Sequence, residues 1–432
     1  MKTYFLIGIK GKGMMALAKY LSNTGVKVEG YDGNIQKDDT YLELETLGIK
    51  IYDELNNDIL DNKNLIITPA VNVEDLKKQN LNIEKFKYYH EFIADLTVTN
   101  RTISVCGSFG KTTTTLFLAQ ILNEIKGCNY IVGDGSGYYN HNNNLLILES
   151  CEYQKHFLNY KPKDIIITNI GLEHLDCYND LDDIINTFSM FSNTCSGKKV
   201  IYGDIDNIDY QKFKGEIILY GYHLCNDVII TKNQVVNNKT EISLDFFGQN
   251  IHFEIPIILV QHQVLDLIAA ITMAYLQNCS IDQIIQVIPK LTLPKHRFIH
   301  KKINDVEVIC DYCGHYAGIE NNIRQLKLIY PNSKLKVIFE PISYIRMMKT
   351  LNLVCNALNK ADSVYVCDIV PLREKNTEKL MFSHQNILEK LPNSHYYDKT
   401  YDLYFDKNDL VAIFAPISNN IIETKIKMNK EA

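Results

Sequence analysis

The sequence predicts an α/β protein built from several nucleotide-binding domains, and three observations support this prediction. With 432 residues the chain exceeds what one ordinary hydrophobic core holds, so about three domains are expected. Apolar runs of strand length alternate with helix-length segments along the chain. Two of these runs lead into glycine-rich turns, at residues 8–13 and 107–112, and an apolar helix follows each turn. Strand, glycine turn and helix in that order are typical of sheets that bind phosphate groups.

Composition and charge limit the classes of partner. Hydrophobic residues make up 46% and charged residues 22% of the chain, as in folded globular proteins, and the net charge of -6 gives no attraction toward nucleic acid or an anionic membrane. Eleven cysteines without a signal peptide indicate reduced thiols. No apolar run approaches the ~20 residues needed to span a bilayer. We therefore expect a cytoplasmic protein with small-molecule partners, and the oligomeric state is left open.

The turn at residues 107–112 carries the strongest motif. It reads Gly107-Ser108-Phe109-Gly110-Lys111-Thr112 and is followed by Thr113 and the apolar segment LFLAQIL. In such a turn backbone N–H groups surround phosphate, the lysine reaches the outer phosphates and the threonine hydroxyl can bind Mg²⁺. The usual pattern has a glycine where Val105 stands, so this is a G-x-x-G-K-T variant. We predict a nucleoside triphosphate site, and a glycine turn without a ligand is the alternative.

Acidic and imidazole side chains follow the next two strands. Glu149 ends the strand LLILE, Glu152 lies three residues later, and His174 follows the strand DIIITNI. An acidic residue at the carboxyl end of a strand beside a phosphate turn commonly holds Mg²⁺. Because the two strands are consecutive in the chain, we expect them to lie close together. We therefore predict Thr112, Glu149 and His174 as metal ligands, and a loop histidine without a ligand is the alternative for His174.

The first glycine turn contains Gly8, Gly11 and Gly13 in the spacing G-x-x-G-x-G. Asp32 ends the strand that follows its helix, at a position where an acidic residue often binds a ribose. A dinucleotide fingerprint reads G-x-G-x-x-G, so this turn indicates a diphosphate site rather than NAD. A tight strand-to-helix turn without a ligand would explain the same residues.

Two domain boundaries follow from the order of the segments. The strand RTISVCG begins a new unit after residue 98, and LPKHRF interrupts a helical pattern at Pro294. These signals divide the chain into residues 1–98, 99–292 and 293–432.

Taken together, these segments resemble the Mur ligases over nearly the whole chain. FLIGIKGKGMMALA is similar to that family's first turn, GSFGKTTTT to its ATP loop, and ESCEYQKHFLNYKPKDIIITNIGLEHLDCY to its metal-binding stretch. KHRF, DYCGHY and FEPISYIR resemble its C-terminal signatures in the same order. The resemblance is strongest to members from low-GC Gram-positive bacteria that add L-alanine to UDP-N-acetylmuramate. It implies a Rossmann-like N-terminal domain, a central P-loop ATPase domain and a C-terminal α/β domain.

The resemblance also implies site residues in each domain. The UDP-linked substrate is expected at Gly8, Gly11, Lys12, Gly13, Met14 and Asp32. ATP is expected at residues 107–113 together with Asp266, Arg297 and Asp311. Catalytic roles are expected for Lys111, Glu149, His174, His315 and Arg346.

The implied reaction is ATP-dependent amide-bond formation in peptidoglycan precursor synthesis, with ATP and Mg²⁺ as cofactors. ATP phosphorylates the muramoyl carboxylate, the amine of L-alanine attacks the acyl phosphate, and a tetrahedral intermediate collapses to amide and phosphate. Lys111, together with Mg²⁺ on Thr112 and Glu149, would neutralise the transferring phosphoryl group. His174 would hold a second metal ion.

Several positions depart from the family pattern. Phe109 stands where the ATP loop has a histidine, Asp266 where an asparagine faces the adenine, and Gly314 and Ile342 where the C-terminal signatures have histidines. Two alternatives therefore accompany the alanine ligase. One is a related ligase for a different acid or amine, and the other is a nucleotide-binding paralogue with weakened catalysis. A nicotinamide dehydrogenase would leave the second phosphate turn unexplained.

Overall fold

The structure is a computed structural model, and it describes residues 2–34, 36–172, 174, 177–205, 208–295, 297–314, 316–371, 382–415 and 419–429. The chain divides into two compact units, Met1–Thr292 and Leu293–Ala432. Each unit contains a sheet whose central strands run parallel.

Among the described residues, the N-terminal part of the first unit forms a five-stranded parallel sheet in the order β3-β2-β1-β4-β5. Its strands are β1 (Thr3–Ile7), β2 (Lys27–Tyr31), β3 (Lys50–Tyr52), β4 (Asn64–Ile67) and β5 (Phe86–Tyr88). Its helices are α1 (Lys12–Asn23), α2 (Asp39–Thr46), α3 (Asn57–Leu60), α4 (Val73–Lys77) and α5 (Tyr89–Thr99). Leu6 packs in one hydrophobic cluster and Phe5 and Ile7 in another, so both faces of this sheet are buried.

The rest of the first unit is organised around a larger sheet. In the described part of the chain its order is β15-β14-β13-β12-β11-β10-β6-β9-β7-β8. Its first six strands in the chain are β6 (Arg101–Cys106), β7 (Asn129–Ile131), β8 (Gly137–Tyr138), β9 (Leu145–Glu149), β10 (Asp164–Ile167) and β11 (Lys199–Tyr202). The others are β12 (Ile217–Gly221), β13 (Val228–Val236), β14 (Lys239–Phe246) and β15 (Gln249–Ile255). The strands from β13 to β7 pair in parallel, so their carboxyl ends share one edge.

Helices cover this sheet and connect its strands. They are α6 (Lys111–Lys126), α7 (Leu181–Ser192), α8 (Gln261–Leu276) and α9 (Ile281–Val287), with short 3₁₀ helices at Tyr153–Asn159, Tyr210–Lys212 and Ile288–Lys290. Residues 264 and 266–274 of α8 are buried, because this helix packs against α6 and the sheet. Ser280 caps α9 by accepting a hydrogen bond from the backbone N–H of Gln283.

The second unit has its own sheet. Its described strands are ordered β16-β17-β22-β18-β19-β20, and β21 pairs with β23 separately. The strands are β16 (Ile299–Ile303), β17 (Val306–Cys310), β18 (Lys334–Phe339), β19 (Ser363–Val366), β20 (Ser394–Tyr396), β21 (Leu403–Phe405), β22 (Asp409–Phe414) and β23 (Ile426–Met428). The helices are α10 (Tyr316–Ile329), α11 (Tyr344–Leu358), α12 (His384–Leu388) and α13 (Asn419–Lys425). All residues of β22 are buried, which explains the continuous apolar run at residues 410–414.

None of the helices in the described residues has both the length and the apolar composition needed to cross a membrane.

Candidate active site

The central site is built at the turn between β6 and α6. Gly107 has a φ of 142° and Gly110 a φ of 82°, backbone conformations that residues with a Cβ rarely adopt. A Cβ at Gly107 would also overlap the Thr168 hydroxyl at the end of β10. Gly110 precedes α6 without a side-chain cap, which leaves the first N–H groups of this helix for a ligand. The turn therefore has the geometry of a phosphate site.

Hydrogen bonds to the segment after β10 fix the residues between the two glycines. The Ser108 hydroxyl donates to the Gly171 carbonyl at 2.8 Å. The Phe109 N–H donates to Asn169 Oδ1 at 2.9 Å, and Asn169 Nδ2 donates to the Phe109 carbonyl at 2.9 Å. These bonds use backbone atoms of Phe109, so the path of the turn does not depend on which side chain stands there.

Thr112 and Glu149 lie side by side, as the sequence predicts for a pair of Mg²⁺ ligands. The Thr112 hydroxyl donates to Glu149 Oε1 at 3.1 Å, and the Gly133 N–H donates to Glu149 Oε2 at 2.6 Å. Burial raises the pKa of Glu149, against the opposing effect of Lys111. A hydroxyl and a carboxylate are oxygen ligands of the kind that Mg²⁺ takes, with phosphates and water completing its shell. The donor set therefore fits Mg²⁺.

Lys111 and His174 meet at Glu152. Lys111 Nζ lies 2.9 Å from Glu152 Oε2, and His174 Nε2 lies 3.4 Å from Glu152 Oε1. Lys111 also donates to the carbonyls of Gly107 at 2.6 Å and Ser108 at 3.2 Å, so it lies across the turn. Glu152 is only 1% exposed, which makes this a buried charge cluster beside the phosphate turn.

The pKa values of this cluster reflect burial and mutual attraction. Burial disfavours the charged form of each group, but Glu152 more than offsets this effect for Lys111, whose pKa is raised. The pKa of Glu152 is lowered, because Lys111 and His174 together outweigh its burial. Contacts with Cys151 and Glu152 likewise overcome burial and raise the pKa of His174 to about 9. Each of these pKa shifts favours the ionised form of its group.

The described strands that precede Glu149 and His174 lie on either side of β6 and do not pair with each other. Strand β6, which leads into the phosphate turn, lies between β9 and β10. His174 accordingly contacts Glu152 rather than Glu149. Among the described residues, no group of three or more His, Cys, Asp and Glu side chains is arranged to hold a metal ion. The role of His174 as a ligand stays a prediction.

The structure adds two residues to the predicted site. Glu152 joins Lys111 and His174, and Gly133 holds Glu149 by its N–H. The sequence carries a signal for Glu152, since it lies three residues after Glu149 in the segment ESCE. Gly133 carried no comparable signal, because its role depends on which loop packs beside β9.

The Asp266 side chain packs against the phosphate turn and the start of α6. It is 4% exposed, accepts a hydrogen bond from the Thr114 hydroxyl at 3.2 Å, and would be overlapped by a Cβ at Gly110. Thr113 is also buried, at the start of α6. Asp266 therefore supports the turn from α8, and its proximity to an adenine stays a prediction.

The first glycine turn is tied to the end of β2. Gly8 has a φ of 84°, and its N–H donates to the Tyr31 carbonyl at 2.8 Å. Asp32 accepts hydrogen bonds from the backbone N–H groups of Lys10 and Asn34, both at 3.0 Å. Asp32 therefore fixes the shape of this turn, and contact with a ribose would be an additional role.

Helix α1 packs against the larger sheet. It begins at Lys12, after Gly11, and Gly13 faces the ring of Tyr89, whose nearest atoms would lie 3.3 Å from an added Cβ. Met14 is 2% exposed, so its side chain belongs to the core. A Cβ at Gly137 would overlap the Ala16 carbonyl, which explains the glycine there. The two glycine turns thus belong to one compact unit.

In the second unit, Asp311 and Arg297 lie near each other. Asp311 is 7% exposed and accepts a hydrogen bond from the Phe298 N–H at 2.9 Å. Burial raises the pKa of Asp311 to about 6, although Arg297 acts in the opposite direction. Arg297 Nη1 donates to the Tyr312 carbonyl at 2.8 Å. The roles of both residues in binding ATP stay predictions.

Gly314, Ile342 and Arg346 meet at another point of this unit. A Cβ at Gly314 would lie 3.6 Å from the Ile342 side chain and 4.0 Å from Arg346 Nη1. Arg346 lies in the first turn of α11, where its N–H donates to the Ser343 hydroxyl at 3.0 Å. His315 lies outside the described residues.

Comparison with known proteins identifies the family. The model described as "Mur ligase family, catalytic domain" matches residues 3–101, and the Mur ligase middle domain matches residues 105–274. UDP-N-acetylmuramate–L-alanine ligase of Streptococcus agalactiae is 31% identical over 372 residues, which are 85% of this chain and 84% of that relative. The chain belongs to the Mur ligase family. As a Mur ligase it is an ATP-dependent ligase, which confirms the prediction of an enzyme.

Solved structures confirm the predicted Mur ligase fold. UDP-N-acetylmuramate–alanine ligase MurC from Thermotoga maritima has a TM-score of 0.78 at 20% identity, covering 98% of this chain and 97% of that one. A murein peptide ligase from Psychrobacter arcticus has a TM-score of 0.72 at 17% identity and covers 98% of both chains. At these identities the similarity establishes the architecture of this Mur ligase.

Proposed function

We propose that this Mur ligase joins L-alanine to UDP-N-acetylmuramate through an acyl phosphate, using ATP and Mg²⁺, in peptidoglycan precursor synthesis. One observation carries the proposal. The relative from Streptococcus agalactiae, named for that reaction, is 31% identical over 85% of this chain. The residues at the carboxyl edge of the larger sheet, which fit ATP and Mg²⁺, are consistent with this class of reaction.

The phosphate turn would bind ATP. The N–H groups at the start of α6 favour negative charge, and Lys111 would exchange its contacts with the carbonyls of Gly107 and Ser108 for phosphate oxygens. Thr112 and Glu149 would hold Mg²⁺, which supplies charge neutralisation of the transferring phosphoryl group. Glu152 positions Lys111 and His174 from the buried side.

The remaining parts of the substrate would be divided among the domains. We assign residues 1–98 to the UDP-linked substrate, 99–292 to ATP and 293–432 to the amino acid. The turn at Gly8 and Gly11 would receive the diphosphate, because α1 begins there without a side-chain cap and its first N–H groups can face a ligand. All the partners in this assignment are small-molecule substrates.

We place the reaction in the cytoplasm. All eleven cysteines lie in described residues and are free thiols, as expected in a reducing compartment. ATP-dependent synthesis also needs the nucleotide pool of that compartment.

A second candidate is a ligase of the same type for a different amine. Gly314 and Ile342 replace two family histidines, and these two positions are neighbours in the second unit. The replacements therefore alter one location, where Arg346 also lies. A changed acceptor pocket would account for both replacements together.

The test measures phosphate release by the full chain with ATP, Mg²⁺, UDP-N-acetylmuramate and each of a panel of amino acids. We expect L-alanine to give the highest kcat/KM and a product whose mass equals the alanyl adduct. A higher kcat/KM for another amino acid would support the second candidate. Absence of phosphate release with every amino acid would contradict both.

A further inference from the structure

A cavity lies at the opposite edge of the larger sheet from the candidate active site. Its volume is about 480 Å³, within the range of roughly 300–1,000 Å³ that is usual for small-molecule sites. Arg101, Asp164 and Lys199 line it, and each is the first residue of its strand, β6, β10 and β11. The phosphate turn and Glu149 lie at the other ends of the parallel strands. The two sites are therefore separate.

The lining of this cavity is basic, although the whole chain carries a net charge of -6. Its charged side chains are five basic and two acidic residues: Arg101, Lys163, Lys198, Lys199, Lys214, Asp164 and Glu216. A concave surface with an excess of one charge attracts ligands of the opposite charge. The cavity thus favours an anion.

Ion pairs inside the protein neutralise only part of this charge. Lys198 pairs with Glu216, and Arg101 Nη2 lies 3.6 Å from Asp164 Oδ2. Lys163 donates to the Ser196 hydroxyl at 3.3 Å, a neutral partner. In the ranges that the structure describes, no carboxylate forms an ion pair with Lys163, Lys199 or Lys214. Three positive charges therefore remain for a ligand.

Lys199 is the unusual member of this group. It is 2% exposed, yet the described residues give its ammonium one hydrogen bond, to the Cys195 carbonyl at 3.2 Å. An ammonium has three donors, and a buried lysine is normally paired with a negative group. Gly215 also lines the cavity, and a Cβ there would lie 2.8 Å from Lys199 Nζ. The absence of a side chain at Gly215 therefore makes room for the Lys199 ammonium itself.

We propose that this cavity binds a small phosphorylated anion, with Lys199 as the central contact and Lys163 and Lys214 at the rim. The charge of a phosphate monoester or diphosphate, about -2 to -3, matches the three lysines without ion pairs. Phosphate oxygens can accept hydrogen bonds from several ammonium groups at once, and lysine binds phosphate as a point charge. The cavity volume of about 480 Å³ is of the size usual for small-molecule sites.

The test is calorimetric titration of the full chain with inorganic phosphate at constant ionic strength. Saturating UDP-N-acetylmuramate and a non-hydrolysable ATP analogue with Mg²⁺ fill the sites at the two glycine turns. We expect Lys199→Met to weaken phosphate binding at least about tenfold and Lys214→Met about threefold. The matched control Lys232→Met removes an exposed lysine on β13 that does not line the cavity, and it should bind like the wild type.

A melting temperature close to that of the wild type shows that Lys199→Met is folded. The double variant Lys163→Met/Lys214→Met tests the cavity independently of Lys199. Unchanged phosphate affinity in Lys199→Met, or in the double variant if Lys199→Met does not fold, would overturn the proposal. Failure of millimolar phosphate to bind the wild type would also overturn it. Tighter binding of citrate than of phosphate would show that the site takes carboxylates instead.

Discussion

At the scale of single residues, Lys111 has two separable roles. It lies beside the phosphate turn, and it neutralises the buried Glu152 at 2.9 Å. We expect Lys111→Ala to reduce ATP turnover at least about 100-fold, because a donor to the phosphates is lost. It should also lower the melting temperature, since breaking a buried ion pair costs about 3–5 kcal/mol.

A second substitution separates these effects. Adding Glu152→Gln to Lys111→Ala removes the carboxylate that has lost its lysine partner, so the melting temperature should recover in part while ATP turnover stays low. Turnover within a few-fold of the wild type in Lys111→Ala would show that the turn does not act on ATP.

Glu149 should determine the Mg²⁺ requirement. Its Oε1 accepts from Thr112 and its Oε2 from Gly133, and Glu149→Gln keeps the shape but removes the negative charge. We expect the Mg²⁺ concentration for half-maximal activity to rise at least about tenfold. Calorimetric binding of the uridine nucleotide substrate serves as the control and should not change. A variant with the wild-type Mg²⁺ requirement would contradict the assignment.

Phe109 should affect ATP affinity without disturbing the turn. Its backbone N–H and carbonyl are both bound to Asn169. Phe109→His places a polar ring beside the phosphates, so we expect KM for ATP to fall about threefold. Phe109→Leu is the matched control and should leave the KM near its wild-type value. Steady-state phosphate release at varied ATP concentration measures both.

At the scale of elements, the first glycine turn should act on the uridine substrate alone. Gly11 has φ -61° and ψ 136°, which any residue can adopt, and the Cβ of Gly11→Val would lie 3.3 Å from the Gly8 carbonyl oxygen, a close contact that requires a small shift of the turn. The branched side chain would occupy the space before the first N–H groups of α1. We expect KM for UDP-N-acetylmuramate to rise at least about tenfold, with little change in KM for ATP.

The two KM values are measured in the same preparation, so ATP acts as the internal control. An increase confined to ATP would mean that the first turn does not receive the UDP-linked substrate.

At the scale of the whole molecule, Asp311 should give the stability a pH dependence. Burial raises its pKa in the folded protein from 3.8 to about 6, so the folded state holds the proton more tightly than the unfolded state. Stability from this group is therefore present below pH 3.8 and falls as pH rises to about 6. The shift corresponds to about 3 kcal/mol.

Melting temperatures of the full chain between pH 4 and 7 test this expectation. The difference in melting temperature between Asp311→Asn and the wild type should increase in favour of the variant as pH rises. Asp305→Asn, which removes an exposed carboxylate between β16 and β17, is the matched control. A pH-independent difference for Asp311→Asn would contradict the raised pKa.

The architecture and the main phosphate turn could be predicted from local patterns. Apolar runs such as those of β1 and β6 gave buried parallel strands, and Gly107 and Gly110 occupy backbone conformations that favour glycine. Such signals lie within a few consecutive residues, because strand burial and turn geometry are local properties. The pairing of Thr112 with Glu149 also followed, since both lie at the carboxyl edge of parallel strands.

The sequence by itself determined the family, the α/β fold and the residues of the phosphate turn, because these depend on short segments and their order. Only the tertiary structure decided that β6 separates β9 from β10, that His174 meets Glu152, and that Asp266 packs against the turn. It also revealed the buried Lys199 beside a basic cavity. These features depend on the order of strands in the sheet and on contacts between distant segments, which no local pattern encodes.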